Sequence, residues 1–296
     1  MIKRTHRCYY PDLWILSRGP AGGCSVWEGL HELYRYRALI QTLVSRELKA
    51  RYRGSVLGFL WSLLNPLLLM LVYWLVFSVY MRNPMEHYHV FLFCGLLPWI
   101  WFSSSLLEGC NSIISGASLV KKVLFPAEVL PVVAILSNLI HFFLALPILI
   151  GFLLLSGVLP GWNLIFFPCV IVIQLLFTLS LVLLLSALSV HYRDIQQILG
   201  NLITLWFFMS PVIYPVFQIP DKARKFVMIL KCNPITHLMV AYQRMFLQKM
   251  SDHGAYPFDL PLPWKGLTAV FVLAIIVLFF SYRIFNHFKV SFSEEI

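Results

Sequence analysis

Charge is what most of this chain does without. Six apolar stretches, roughly 56–81, 88–107, 129–156, 163–190, 196–215 and 266–282, hold no Asp, Glu, Lys or Arg. An ionisable group at mid-membrane costs about 2.5–3.5 kcal/mol even on lenient insertion scales, and chains that keep one there usually use it as a proton or ion relay. No such relay is visible, so a transporter built on these stretches must be powered from outside the bilayer. A channel or a structural protein would need no power.

Other absences narrow the chemistry. No Gly-Lys pair occurs, which removes the GxxxxGK[ST] phosphate-binding loop and leaves any ATP hydrolysis to another chain. No DxD pair and no acidic residue within a stretch is available to hold a metal and activate an acceptor, which argues against a membrane glycosyltransferase. The six cysteines, Cys8, Cys24, Cys94, Cys110, Cys169 and Cys232, form no CxxC pair and no Cys/His metal spacing. Neither a disulfide framework nor a zinc site is indicated. Residues 1–55 carry no apolar run longer than a few residues, so no secretory signal is expected and the first stretch serves as its own insertion signal.

What remains is grease and aromatic rings. Of 296 residues, 59% are hydrophobic and only 12% charged, whereas soluble domains carry about a quarter charged. The chain reads as an all-α polytopic membrane protein with six transmembrane helices. A crossing needs about 20 apolar residues for roughly 30 Å of hydrocarbon, and the longer stretches predict tilt or projecting ends.

Orientation follows from Lys and Arg. With the N-terminus cytoplasmic, inner segments carry fifteen of them and outer segments eight, of which seven fall between Val216 and Lys265. Both termini are then cytoplasmic. The formal net charge of +10 arises largely before the first stretch, where attraction to anionic lipid head groups explains it better than nucleic acid.

Three segments outside the stretches stand out. Residues 1–24 read as a flexible tail and 25–55 as an amphipathic interface helix. Ser25 and Glu28 fit a capping box, Leu33, Tyr36, Ile40, Leu43 and Val44 share one face, and Arg35, Thr42, Ser45, Arg46 and Lys49 lie opposite. Such a helix serves as a lipid anchor or as a platform for a cytoplasmic partner. Between the second and third stretches lies a short amphipathic segment, 119–128, closed by Pro126. It is either a connecting loop or a rigid knob that receives a push from a soluble motor. Between the fifth and sixth stretches, Lys231, Pro234 and Arg244 interrupt an apolar region over 217–246, which predicts a re-entrant or interfacial helical hairpin.

The run 51–66 (RYRGSVLGFLWSLLNP), the segment 119–131, and Ser210-Pro211-Val212-Ile213-Tyr214 with Asn233-Pro234 resemble the ABC-2 type permeases, in particular the subunits that export O-antigen, teichoic acid and related cell-envelope polysaccharides. The resemblance covers roughly 33–290, within a permease domain of 56–290 followed by a cytoplasmic end at 291–296. It implies a bacterial inner-membrane permease that pairs with a second copy and docks two ATP-binding cassette subunits. ATP and Mg would sit on those partners, with no cofactor in this chain. It further implies ATPase coupling through Arg46, Lys49, Lys121, Lys122, Val123, Leu124, Phe125, Pro126 and Glu128, and an outer gate at Phe217, Phe226, Ile229 and Leu230.

Aromatics supply the candidate path. Sugar rings present C–H faces that stack on flat rings, so Tyr73, Trp74, Phe77 and Tyr80 in the first stretch with Trp99, Trp101 and Phe102 in the second are candidates to let a glycan slide. Trp and Tyr also gather at membrane interfaces for reasons of their own. Asn138, His141 and Gln174 are expected to hydrogen-bond between helices, and Asn65-Pro66 and Pro98 to bend theirs. Gly54 and Gly58 form a GxxxG pair that would permit close helix packing. The predicted activity is outward movement of a lipid-linked polysaccharide by a transport subunit that is not itself an enzyme. Capsule polysaccharide, teichoic acid, lipid and drug are the alternative cargoes.

Overall fold

The computed structural model describes residues 31, 33–58, 60–83, 85–117, 119, 126–219, 224–248 and 261–289. The described residues are helical and contain no strand. The helices are α1 (Arg37–Tyr52), α2 (Leu60–Trp74), α3 (Tyr88–Ser115), α4 (Val129–Leu155), α5 (Phe167–His191), α6 (Ile195–Phe208), α7 (Arg224–Cys232), α8 (Pro234–Leu247) and α9 (Trp264–Lys289). A six-residue π-helical turn, Leu75–Tyr80, continues α2, and a 3₁₀ turn, Trp162–Phe166, leads into α5.

Five of these segments are long and apolar enough to cross a membrane: Leu60–Tyr80, Tyr88–Ser115, Val129–Leu155, Trp162–His191 and Trp264–Lys289. This is a multi-pass membrane protein. The expected fifth stretch, 196–215, is helical only over Ile195–Phe208, and 14 residues rise about 21 Å, short of a hydrocarbon core. Ser210 and Pro211 explain the break, because proline offers no backbone N–H to continue the ladder.

Contacts between ends fix the packing directions. Lys289 meets Glu128, the rings of His191 and Phe288 lie 4.4 Å apart, and Gln196 donates to Asn111 at 2.7 Å. One end of the bundle therefore gathers the finish of α3, α5 and α9 with the start of α4 and α6. At the other end the His89 ring pairs with Ser156 at 3.1 Å and Phe166 packs edge-on against Trp264 at 4.8 Å.

α3 is the axis of the protomer. It packs against α2, α4, α5, α6 and α8, and most of its side chains are buried, from Tyr88 to Ile113. α9 lies along α5. α2 is the opposite case, with Leu68, Leu69, Leu71, Val72 and Val79 exposed along most of its length. Its apolar surface faces lipid or another chain, not this protomer's core.

The turn from α1 into α2 corrects one reading of the sequence. Gly54 (φ +80) and Gly58 (φ +47) both adopt the left-handed region, which side chains resist, and neither lies in a helix. They bend the chain between α1 and α2 and do not form a helix-packing pair. The first crossing accordingly begins at Leu60, four residues later than the apolar run.

Candidate functional site

The end of the bundle that holds α1 carries the polar machinery. Ile40, Leu43 and Val44 of α1 are buried with Val129 and Val133 of α4, and Leu33 and Tyr36 pack at the edge of the same cluster. Thr42, Ser45, Arg46 and Lys49 remain exposed. A groove of about 550 Å³ runs between α1 and the adjacent ends of α3 and α4. Arg46, Glu47, Glu108, Asn111 and Ser115 give it a polar wall, and Leu43, Leu130 and Val133 an apolar floor.

Above the groove three helices are tied by one charged cluster. Arg51 Nη2 donates to Glu108 Oε2 at 2.6 Å, Asn138 Nδ2 donates to the same oxygen at 2.6 Å, and Arg51 Nη1 reaches Asn138 Oδ1 at 3.4 Å. Asn138 Nδ2 also donates to the Ala134 carbonyl at 3.0 Å. Asn138 is buried, so its amide is held in place by partners on α1, α3 and α4 at once. Opposite charges with charge-assisted bonds in a half-buried setting favour one arrangement of those helices.

Glu128, a coupling candidate, is held within the bundle. It is buried, and Lys289 Nζ donates to both of its carboxylate oxygens, at 2.9 and 3.0 Å. Pro126 and Ala127 are buried beside it. Lys121, Lys122, Val123, Leu124 and Phe125 lie outside the described residues.

A second cavity, about 290 Å³, opens between α1, α2, α3 and α4. Arg51, Trp61, Ser62 and Asn65 line it from α1 and α2, and Trp101, Ser104, Asn138, His141 and Phe142 from α3 and α4. Trp101 is 1% exposed and stacks on Phe142 with ring centroids 5.4 Å apart. Its indole Nε1 has no hydrogen-bond partner among the described residues.

The remaining aromatic candidates divide. Tyr73 of α2 meets Phe207 of α6 at 5.4 Å, Phe207 meets Trp99 at 5.4 Å, and Trp99 meets Phe102 at 5.8 Å. Phe102 then stacks on Phe177 and touches Trp206 edge-on. These rings form a continuous band from α2 to α5. Trp99 and Phe102 are buried in it and present no face to an open passage within one protomer. Trp74 is half-buried, Phe77 packs on Tyr88, and Tyr80 stands 74% exposed at the far end of α2.

At that far end α8 is almost wholly buried. Tyr242 on it packs against Phe142 and Phe167, and Gln243 Nε2 donates to the Pro211 carbonyl at 2.8 Å. Asn233 fixes the corner before it. Its Oδ1 accepts from Ile235 N at 3.1 Å as the cap of α8 and from Trp206 Nε1 at 2.9 Å. Its Nδ2 donates to the Met209 carbonyl and to Ser210 Oγ, both at 3.2 Å. Of the gate candidates, Phe217 and Ile229 are exposed and Leu230 is buried, while the Phe226 side chain lies outside the description.

Arg51, Glu108, Asn233 and Lys289 were not singled out by sequence reasoning as site residues. Glu108 had a usable signal. Residues 108–115 contain no proline and continue with Ile113 and Ile114, so α3 runs on past the apolar stretch. Lys289 had none, because its partner is 161 positions away.

Comparison with known proteins places this architecture. An O-antigen export system permease protein RfbA from Myxococcus xanthus is 44% identical over 267 residues, covering 90% of this chain and 98% of that protein. A protein of the same name from Klebsiella pneumoniae is 30% identical over 257 residues, 86% of this chain and 94% of its own length. The polysialic acid transport protein KpsM of Escherichia coli is 25% identical over 214 residues, 69% of this chain and 79% of its own. The profile of the ABC-2 type transporter matches residues 38–247, from the start of α1 to the end of α8, and this chain belongs to that family.

Proposed function

We propose that the chain is the permease subunit of an ATP-driven exporter that moves a lipid-linked polysaccharide of the O-antigen type outward across the bacterial inner membrane. The 44% identity to an O-antigen export permease across nearly that protein's full length carries the reading. Capsule polysaccharide is the second cargo, favoured by the similarity to a polysialic acid transport protein.

In this reading two copies pair, and each docks an ATP-binding cassette subunit that holds ATP and Mg. The groove between α1, α3 and α4 receives the ATPase. Its support is the exposed Arg46 and Lys49 beside a polar wall, together with Leu119 in its lining. α1 lies at the cytoplasmic interface, its apolar face on α4 and its charged face outward. Glu128 belongs to the coupling apparatus as an anchor, not as a contact for the partner.

A sixth crossing is completed by α6 and the turns after it. Supporting it, Gln196 bonds Asn111 at one end of the bundle, and the Tyr88 hydroxyl donates to the Ile213 carbonyl at 2.5 Å near the other. Six crossings put both termini in the cytoplasm. α7 and α8 then form a re-entrant pair in the outer half, with Phe217, Phe226, Ile229 and Leu230 as outer-gate residues. On α2 and the turn that continues it, Tyr80 faces the path formed with the second copy, and Tyr73, Trp74 and Phe77, half-buried against this protomer's core, back that wall. Trp101 contributes through the cavity described above, and Trp99 and Phe102 stiffen the wall behind it.

The test is genetic. In a host with no second exporter, deleting the gene should strand the polysaccharide in the cytoplasm on its lipid carrier, and the intact gene should restore it to the surface. Normal surface polysaccharide in the deletion strain contradicts the reading.

A further inference from the structure

The 290 Å³ cavity between α1 and α4 combines features that no coupling role requires. Two indoles, Trp61 and Trp101, line it together with asparagine, serine, histidine and arginine side chains. Its volume sits at the small end of ligand sites, which run roughly 300–1,000 Å³. That is room for one or two sugar rings and not for a chain. Its depth is defined by its lining. Arg51 and Trp61 mark the end of the bundle near α1, and Ala145 lies 16 residues into α4, about 24 Å along that helix.

The charge in the cavity selects the ligand class. Arg51 is the fixed cation there, and Glu108 already balances it through a 2.6 Å contact. A site with its arginine neutralised gives little net attraction to phosphate. It does offer both donors and acceptors, which is what sugar hydroxyls need, since each hydroxyl donates one bond and accepts others. A buried donor without a partner is costly, and the Trp101 indole Nε1 is one. The sugar's C–H face would lie on the partly exposed Trp61 indole, with the buried Trp101 indole closing the site behind it.

We propose that the cavity bounded by Arg51, Trp61, Asn65, Trp101, Asn138 and His141 is a saccharide-binding subsite that holds one or two rings of the exported glycan. This rests on the polysaccharide-export reading. The site is open at Trp61, which is 39% exposed, and closed at Trp101. A glycan end enters past the first indole and stops at the second, so the subsite registers the cargo before it moves.

The experiment uses the full-length permease co-purified with its ATPase in lipid nanodiscs. The probe is the host's own surface polysaccharide cut to short oligosaccharides, with inorganic pyrophosphate as competitor. Trp61→Ala and Trp101→Phe should each weaken oligosaccharide binding about tenfold. Pyrophosphate should leave it unchanged. Trp61 lies on the surface, so W61A keeps the test readable if W101F fails to assemble. Wild-type affinity in W61A, or displacement of the oligosaccharide by pyrophosphate, overturns the subsite. The deletion test above judges the export reading separately: lost surface polysaccharide with unaltered W61A binding would sink the subsite alone.

Discussion

Lys289, in the last turn of α9, donates to both carboxylate oxygens of Glu128, which stands immediately before α4. Glu128 has a side chain only 6% exposed, while that of Lys289 is 37% exposed. The asymmetry sets the consequence of breaking the pair. Lys289→Met strands a buried carboxylate, at a cost on the order of 1–3 kcal/mol. Glu128→Gln leaves only a solvated ammonium, so it should cost less. Thermal unfolding of the purified protein checks the order, and the swap E128K/K289E should recover part of the loss.

The same pair ties the start of α4, next to the proposed coupling segment in sequence, to α9, and α9 lies along α5. Cutting it should loosen the connection between motor and bundle. In assembled complexes K289M should raise the ATP hydrolysed per glycan exported, while wild-type coupling in that variant would deny the anchor any mechanical part.

Asn233 predicts a graded series. Alanine removes the α8 cap, the bond from Trp206 and the two bonds to the end of α6. Caps contribute about 0.5–2 kcal/mol and each further bond about 0.5–1.5 kcal/mol. Asp keeps the accepting oxygen and loses the donors. Stability should therefore fall in the order Asn, Asp, Ala, and hydrogen exchange at the start of α8 should rise in parallel.

Gly109 tests the packing of α3 on α5. A Cβ at this position would fall inside the Val182 side chain, whose branched Cβ leaves it little room to turn away. Gly109→Ala should lower stability by about 1–3 kcal/mol. Adding Val182→Ala should restore most of it, and no rescue would mean that the two helices do not meet there.

How much of this was legible in the sequence depends on range. Long apolar runs gave their helices away, because 20 or so uncharged residues have few other fates: the third stretch, expected over 129–156, is helical from Val129 to Leu155. The apolar face of α1 was equally readable from spacing, since Ile40, Leu43 and Val44 are buried together. Its partner, the start of α4, was not, because periodicity tells which side is apolar and not what covers it. The same limit applies to Trp99 and Phe102, which read as path residues by type and lie in a packed band. The Arg51–Glu108–Asn138 cluster spans 87 positions and has no local signature. Gly54 and Gly58 misled for the opposite reason, as their spacing mimics a helix contact while their backbone makes a turn.

A conduit with no Asp, Glu, Lys or Arg in its apolar stretches is expected to be driven only from outside the membrane. Proteoliposomes containing this chain, loaded with lipid-linked polysaccharide, test it most directly. A proton or sodium gradient alone should move no glycan, and adding the ATPase subunit with ATP should start export. Uphill transport on the ion gradient by this chain alone would contradict the account.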